Sequence, residues 1–260
     1  MSDYIFIRKS RNILSTILHV VLNILLGFGS VFITLATSNW IFGIILVLIS
    51  KWRIFAVRPR YWFLNIKSNL VDLIIGISFV MLAFYAGSSL LPIHLILGAL
   101  YTVWLIWIKP LSSEKASEIQ ALIAVFLGTS TAALISANYN SVFMVLISFV
   151  VGYGASRHVL VHSSDHDFTL LTLICGLVCA EIAWLCHSWM IIYSFPTIGV
   201  IIPQVAIIMT IFAFIFNCTY KAIFKRSGKL KLPDIALPAI FSILAIAIII
   251  LWFSNPVFNV

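Results

Sequence analysis

Glu181, a carboxylate inside a long apolar stretch, is the most informative single residue of this chain, and Asp72 is a second acid within a predicted span. On insertion scales a charged side chain at the centre of a membrane helix costs about 3 kcal/mol, so such a group is either protonated or paired. Glu181 lies 13 residues after Phe168, near the start of its stretch, a rise of roughly 20 Å along a helix. We predict either a hydrogen-bonded glutamate that fixes helix packing or a proton- or cation-linked site. Its candidate partners are Gln204, His94 and His187.

Two polar stripes at helical spacing accompany these acids. His19 and Asn23 lie four residues apart in the first apolar stretch, and Asn69 precedes Asp72 by three residues in the third. Residues three or four apart share one face of a helix, and a polar face inside a membrane points toward protein or water rather than lipid. We therefore expect the candidate polar-site residues Glu181, Asp72, His19, Asn23 and Asn69 to converge in the interior of a helix bundle.

A basic and aromatic segment, KWRIFAVRPRYWFLNIK at residues 51–67, follows the second apolar stretch. Aromatic rings and long cationic side chains both favour the headgroup level of a membrane. The lipid bilayer, and anionic lipid headgroups in particular, are therefore the expected partners. The candidate contacts are Lys51, Arg53, Arg58, Arg60 and Arg157.

The same cations allow a second interpretation, a membrane enzyme that acts on lipid phosphate. Residues 51–59 read K-x6-R-P, which resembles the first motif of the membrane lipid-phosphatase superfamily, whose cations bind a phosphoryl group. Residues 156–165, SRHVLVHSSD, are similar to the third motif of that family, S-R-x5-H-x3-D, but both gaps are one residue short. The middle motif, P-S-G-H, is absent. Such catalysis needs an acid histidine and a correctly placed nucleophile, so we expect no catalytic residue.

Histidines and aspartates gather at residues 157–167, RHVLVHSSDHD. His158 and His162 are one helical turn apart and could share a metal ion. Alternatively, the segment is a solvated loop in which Asp165 caps the next helix, where the helix dipole favours an acid. The sequence has no GxxxxGK[ST] phosphate loop and no GxGxxG, so we expect no cofactor.

The elements that must position these residues are membrane helices. Hydrophobic residues make up 62% of the 260 residues and charged residues 9%, against about 25% charged in an average soluble domain. The continuous apolar runs do not alternate as barrel strands do, and backbone groups in hydrocarbon must pair within each segment. We predict an all-α polytopic transmembrane bundle that forms a single integral membrane domain over residues 1–260, with no soluble catalytic domain.

Nine apolar blocks are candidates for spans, since one crossing takes about 20 residues. They lie near residues 12–30, 33–50, 68–88, 93–108, 119–137, 142–156, 168–189, 199–220 and 235–253. The first two blocks are expected to turn near Thr37, Ser38 and Asn39. The alternative is one long span followed by a short re-entrant piece.

The cations orient this bundle. All 16 Lys and Arg residues fall before the first block or in the loops on the same side of the membrane, and the opposite loops carry no formal charge. The positive-inside rule then predicts a cytoplasmic N-terminus and an outer C-terminus. The same rule explains the net charge of +8, so no nucleic-acid partner is expected.

Small residues repeat at four-residue spacing in two neighbouring blocks and predict a tight helical hairpin. They are Ala124, Gly128, Ala132 and Ser136 in the fifth block, and Ser148, Gly152 and Ser156 in the sixth. The four cysteines also lie within the blocks and are expected to pack as small residues rather than to bind a metal.

Four strings, KWRIFAVRPRYW, IKPLSS, GYGASRHVL and AEIAWLCHSW, resemble segments of an uncharacterised family of multi-pass membrane proteins from reduced-genome bacteria. The resemblance covers most of the chain. It implies a protein of the bacterial inner membrane and brings no activity and no site residues.

Three functions remain open from the sequence. Polar stripes in several spans favour the binding or transport of a small solute or ion through a polar bundle interior. The second possibility is a structural or assembly protein whose polar residues only pack helices. The third is the enzyme of lipid phosphate discussed above.

Overall fold

The computed structural model describes residues 2–87, 91–161, 168–189, 191–195, 200–225 and 232–253. The helices in these residues are α1 (Ser2–Thr37), α2 (Trp40–Ser50), α3 (Trp52–Phe55), α4 (Trp62–Ser68), α5 (Leu70–Tyr85), α6 (Leu91–Val103), α7 (Glu114–Asn138), α8 (Ser141–Leu160), α9 (Phe168–His187), α10 (Gln204–Lys225) and α11 (Leu232–Trp252). A 3₁₀ turn, Pro59–Tyr61, precedes α4, and Trp104–Ile108 continues α6 as a π-helix.

Seven helices of the described residues are long and apolar enough to cross a membrane. They are α1 from Ser15 onward, α6 with its π-helical extension, and α7 to α11. The segments Pro59–Ser68 and Leu70–Tyr85 form an eighth candidate, which is bent by 71°. The helix α2 has 11 residues, a rise of about 16 Å. The helical membrane bundle predicted from the apolar blocks is confirmed as a class, but the described residues contain seven long apolar helices, or eight with the bent pair, against nine predicted crossings.

A short antiparallel hairpin interrupts the helices and was not predicted. Strand β1 (Ile192–Phe195) pairs with strand β2 (Val200–Pro203). The eighth block was expected to be helical from residue 199, but α10 begins only at Gln204. Residues 200–202 are all β-branched and favour a strand, while Pro203 is disfavoured inside a helix. The apolar length of this block therefore overstated its helix.

The turn between α1 and α2 lies where the sequence predicts it. Ser38 adopts a left-handed φ of 50°, and the Asn39 side chain accepts a hydrogen bond from the backbone N–H of Ile41 at 2.9 Å. Gly43 then allows α2 to pack closely on α1, because a Cβ at this position would lie 2.9 Å from the carbonyl oxygen of Ser30. The two helices therefore form a hairpin that carries the end of α2 back along α1.

The small residues of α7 and α8 are buried, as the predicted hairpin requires. Gly128 lies against Val151, where an added Cβ would come within 2.5 Å of the valine side chain. Gly152 lies in the same way against Cys179 of α9, where an added Cβ would come within 2.6 Å of the cysteine side chain. These approaches make α7, α8 and α9 the closely packed part of the bundle, and they confirm that Cys179 acts as a packing residue.

Candidate functional site

A buried ion pair joins α2 to α5. Asp72 lies in the first turn of α5, and Lys51 directly follows the last residue of α2. The Lys51 ammonium donates a hydrogen bond to Asp72 Oδ2, and both side chains are buried. The helix dipole favours an acid at a helix N-terminus and a cation at a C-terminus, so both charges occupy favourable positions. Asp72 is therefore paired with a residue outside its own polar stripe.

Two residues from the end of the α6 segment complete this cluster. Lys109 Nζ lies 2.8 Å from Asp72 Oδ2, and Trp104 Nε1 donates a hydrogen bond to Asp72 Oδ1 at 3.3 Å. We call the four residues Lys51, Asp72, Trp104 and Lys109 the Asp72 centre. Two lysines around one carboxylate give the centre a formal charge of +1. The Lys109 side chain is 40% exposed, against 7% for Lys51, so the centre opens to its surroundings at Lys109.

The π-helical turn explains how Trp104 and Lys109 reach the same carboxylate. The backbone N–H of Lys109 donates a hydrogen bond to the carbonyl oxygen of Trp104 at 2.8 Å. In an α-helix with 3.6 residues per turn, side chains five residues apart point about 140° away from each other. The i→i+5 bonds of a π-helix widen the turn, so residues five apart lie much closer to the same face. Both side chains therefore face Asp72.

Gln120 of α7 supports the end of this turn. Its Nε2 donates hydrogen bonds to the backbone carbonyl oxygens of Ile108 at 2.7 Å and Leu111 at 3.0 Å. Its Oε1 accepts a hydrogen bond from His158 Nε2 at 2.6 Å. The last carbonyls of a helix have no i+4 partner within it, so Gln120 adds a donor to the carbonyl of Ile108 at the end of the π turn, and it also bonds the carbonyl of Leu111 in the loop after Lys109. These bonds hold the lysine in the orientation that reaches Asp72.

The charge of the Asp72 centre is sensitive to pH near neutrality. Burial lowers the pKa of Lys51 from 10.5 to about 8, because desolvation of the ammonium outweighs the opposing attraction of Asp72, and the positive charge of Lys109 adds to the decrease. Lys51 lies outside the long apolar helices. The centre therefore carries +1 at neutral pH and approaches zero as Lys51 loses its proton above about pH 8.

The other candidate polar-site residues do not join Asp72. His19 and Asn23 contact each other on α1, with 3.2 Å between Nε2 and Nδ2. Asn69 lies at the bend between α4 and α5 and donates a hydrogen bond to a backbone carbonyl oxygen of α4 at 2.9 Å. Glu181 is exposed on α9. In the part of the chain that the structure describes, the expected convergence of these residues is not found.

The partners suggested for Glu181 lie elsewhere. Gln204 donates a hydrogen bond to the carbonyl oxygen of Ile249 at 3.0 Å, and His94 Nε2 lies 3.1 Å from the carbonyl oxygen of Ala83. The buried face of α9 contains Thr172, Cys175, Gly176, Ala180, Ala183 and Cys186. Glu181 lies outside that face, since helical spacing shows which residues share a side of a helix but not which side a neighbour covers.

The cations expected at lipid headgroups divide into two groups. Arg53, Arg58 and Arg60 are exposed on the segment that follows α2, and Arg157 is half-buried near the end of α8. Lys51 is different, because it is buried in the ion pair of the Asp72 centre. Its side chain is therefore not at the surface, its contact with a lipid headgroup stays a prediction, and the same ion pair occupies the lysine of the phosphatase-like motif.

The weak metal candidates receive no support from the described residues. His158 is bound to Gln120, and His162 lies outside the residues that the structure describes. Within the described ranges, no group of three His, Cys, Asp or Glu side chains is arranged to hold a metal ion.

Lys109 and Trp104 were not among the site residues predicted from the sequence. Lys109 was placed in a loop, and Trp104 was counted only as part of an apolar block. A usable signal is the string WIKP at residues 107–110. Proline disfavours helical conformation of the residue before it, so the lysine marks a helix C-terminus on the same predicted side as Lys51.

Comparisons with protein-family profiles, curated proteins and solved structures gave no match. The Asp72 centre is therefore interpreted from its own geometry and charge.

Proposed function

We propose that this chain is a multi-pass protein of the bacterial inner membrane that crosses the bilayer nine times, with its N-terminus inside and its C-terminus outside. The distribution of cations supports this orientation. The helix α2 rises only about 16 Å, so its crossing requires the bilayer to thin locally or the flanking residues to snorkel. It ends at the level of Asp72 and Lys109, where α5 begins and the α6 segment ends. The Asp72 centre then lies at the cytoplasmic side.

The function that the geometry supports best is the binding of a small anion, such as a phosphate or carboxylate group, at the Asp72 centre. The observation that carries this proposal is the sharing of one carboxylate by Lys51 and Lys109. Binding of a small anion is a narrower proposal than the solute- or ion-binding site in a polar bundle interior that the sequence predicts. A structural protein would need only one cation to neutralise Asp72, whereas a second lysine leaves one positive charge over.

The arrangement selects against cations and in favour of anions. Asp72 Oδ2 is contacted by both ammonium groups, and Trp104 donates to Oδ1. An incoming cation would meet two positive charges at a carboxylate that is already bonded. An incoming anion can contact the exposed side of Lys109 while Lys51 keeps Asp72 neutralised, and charge-assisted hydrogen bonds of this kind are among the strongest that proteins form.

Anion-specific stabilisation tests this proposal. A ligand that binds only the folded state raises its stability, so phosphate should raise the thermal midpoint of the detergent-solubilised protein more than chloride at equal ionic strength. Lys109→Gln should abolish the difference, and Lys109→Arg should retain part of it. Lys115→Gln is the matched control, because Lys115 is an exposed cation of α7 outside the centre. An equal phosphate effect in all four proteins would overturn the proposal.

A further inference from the structure

A long apolar groove lies between α6 and α7. It has a volume of about 510 Å³. Leu97 and Leu100 of α6 form one wall, Phe126 and Leu127 of α7 form the other, and Phe79 of α5 contributes to the floor. With few exceptions its lining is apolar, so its chemistry matches hydrocarbon rather than a polar solute.

The groove is long enough, measured across the bilayer, to hold a hydrocarbon chain. Its lining on the α6 segment runs from Ile93 to Ile108, a rise of about 22 Å out of the roughly 30 Å of a bilayer's hydrocarbon core. The side chains of Ile96 and Leu100 are 42% and 51% exposed on its rim. The groove is therefore open laterally, toward the region that lipid chains occupy around a membrane helix.

One end of the groove meets the Asp72 centre. Trp104 lines the groove with its ring and donates its indole N–H to Asp72 Oδ1. Ile108 also lines the groove and directly precedes Lys109, whose ammonium is the exposed cation of the centre. The apolar groove thus ends beside the Asp72 centre, which carries a formal charge of +1.

These two features together define one class of occupant. A soluble anion would use the charge and leave the groove empty, while a neutral apolar molecule would fill the groove and leave the charge unmatched. A molecule with an anionic headgroup and an apolar chain uses both, and the headgroup would lie at the depth where α2 ends before Lys51 and the π turn ends before Lys109.

We propose that the anion bound at the Asp72 centre is the headgroup of an anionic membrane lipid, one apolar chain of which occupies the groove between α6 and α7. This inference rests on the proposed anion-binding function and specifies its ligand class. Lys109 contacts the headgroup, Trp104 separates headgroup from chain, and the α6 and α7 walls bind the chain.

The test measures lipid binding by the purified protein with phosphatidylglycerol and with phosphatidylcholine of identical chains. Bound lipid is counted by native mass spectrometry, and thermal stabilisation is measured in parallel. Wild type should bind phosphatidylglycerol in preference. Leu100→Trp, which places bulk in the groove, should weaken that binding about tenfold, as expected when about two methylene groups lose apolar contact. Leu95→Trp is the matched control, since Leu95 is exposed on α6 but does not line the groove.

The two proposals fail in different ways. If Leu100→Trp binds phosphatidylglycerol like wild type while Lys109→Gln still loses the phosphate effect, the lipid inference is overturned and the anion site stands. If Lys109→Gln retains the phosphate effect, the anion site fails and the lipid inference fails with it. If Leu100→Trp instead converts a dimer to a monomer in light scattering without changing lipid binding, a second copy covers the groove and the lipid inference is wrong.

Discussion

Trp104 and Lys109 are separated by one π-helical turn, and both contact the carboxylate of Asp72. A regular α-helix would turn these two side chains about 140° apart. The turn therefore places a hydrogen-bond donor and a cation on one face at the point where an apolar helix ends. Single π turns of this kind are frequent at functional sites, which agrees with the role proposed for the Asp72 centre.

Adding one residue to this turn should separate the two groups. Insertion of an alanine after Trp107, whose side chain is 69% exposed, would place Trp104 and Lys109 six residues apart, about 120° around an α-helix, and should rotate Lys109 away from Asp72. We expect the phosphate-specific rise in thermal midpoint to disappear. Trp107→Ala keeps the residue count and should preserve the effect. Loss of the effect in Trp107→Ala as well would show that the tryptophan side chain, not the turn, is required.

Asp72 should be the most sensitive residue of the centre. Asp72→Asn leaves Lys51 buried without a counter-charge, and breaking a buried ion pair in this way costs about 3–5 kcal/mol. The double variant Lys51→Met/Asp72→Leu replaces both partners with apolar side chains and should lose much less, because such replacements are often neutral. Lys109 can then turn its partly exposed ammonium to water. Free energies of unfolding from denaturant titration in micelles check this order, and equal losses in both variants would contradict it.

Anion binding should weaken as the pH rises above about 8. The folded-state pKa of Lys51 is lowered to about 8 from 10.5, so between these values the unfolded chain binds more protons and Lys51 makes folding more favourable as the pH increases. Over the same interval the centre loses its extra positive charge. Sulfate, whose charge is constant in this range, should therefore stabilise the protein at pH 7 and have little effect at pH 9. An unchanged sulfate effect at pH 9 would show that Lys51 does not contribute to anion binding.

Apolar length was sufficient to predict the helices, because burial of backbone groups in hydrocarbon leaves few alternatives to a helix. The pairing of Asp72 was not predictable in the same way. Asp72 and Lys51 were both singled out, but for separate roles, since their contact depends on how α2 folds back beside α5. Lys109 could not be placed from α-helical spacing, because a π turn changes the phase of every residue after it. The strand at residues 200–203 was missed because an apolar run of β-branched residues resembles a helix start.

Glu181 should tolerate substitution. Its side chain is exposed on α9, and the ion pairs of the described residues do not include it. Glu181→Gln and Glu181→Leu should therefore both change the free energy of unfolding by less than about 0.5 kcal/mol, as is usual at surface positions. Glu181→Leu should also insert more efficiently, since it removes a polar carboxyl group from an apolar helix. A loss of stability in Glu181→Leu that Glu181→Gln does not share would indicate a hydrogen-bonded partner.

The orientation of the bundle can be tested with single cysteines in a variant whose four native cysteines are replaced. Ser194 lies exposed on β1, and Ser112 lies exposed between the π turn and α7. With nine crossings and the N-terminus inside, a membrane-impermeant maleimide should label Ser194→Cys in intact cells and Ser112→Cys only after permeabilisation. The loop that carries Ser112 also follows Lys109, so its labelling reports the side on which the Asp72 centre lies. Labelling of Ser112→Cys from outside would reverse the orientation and place the anion site at the outer leaflet.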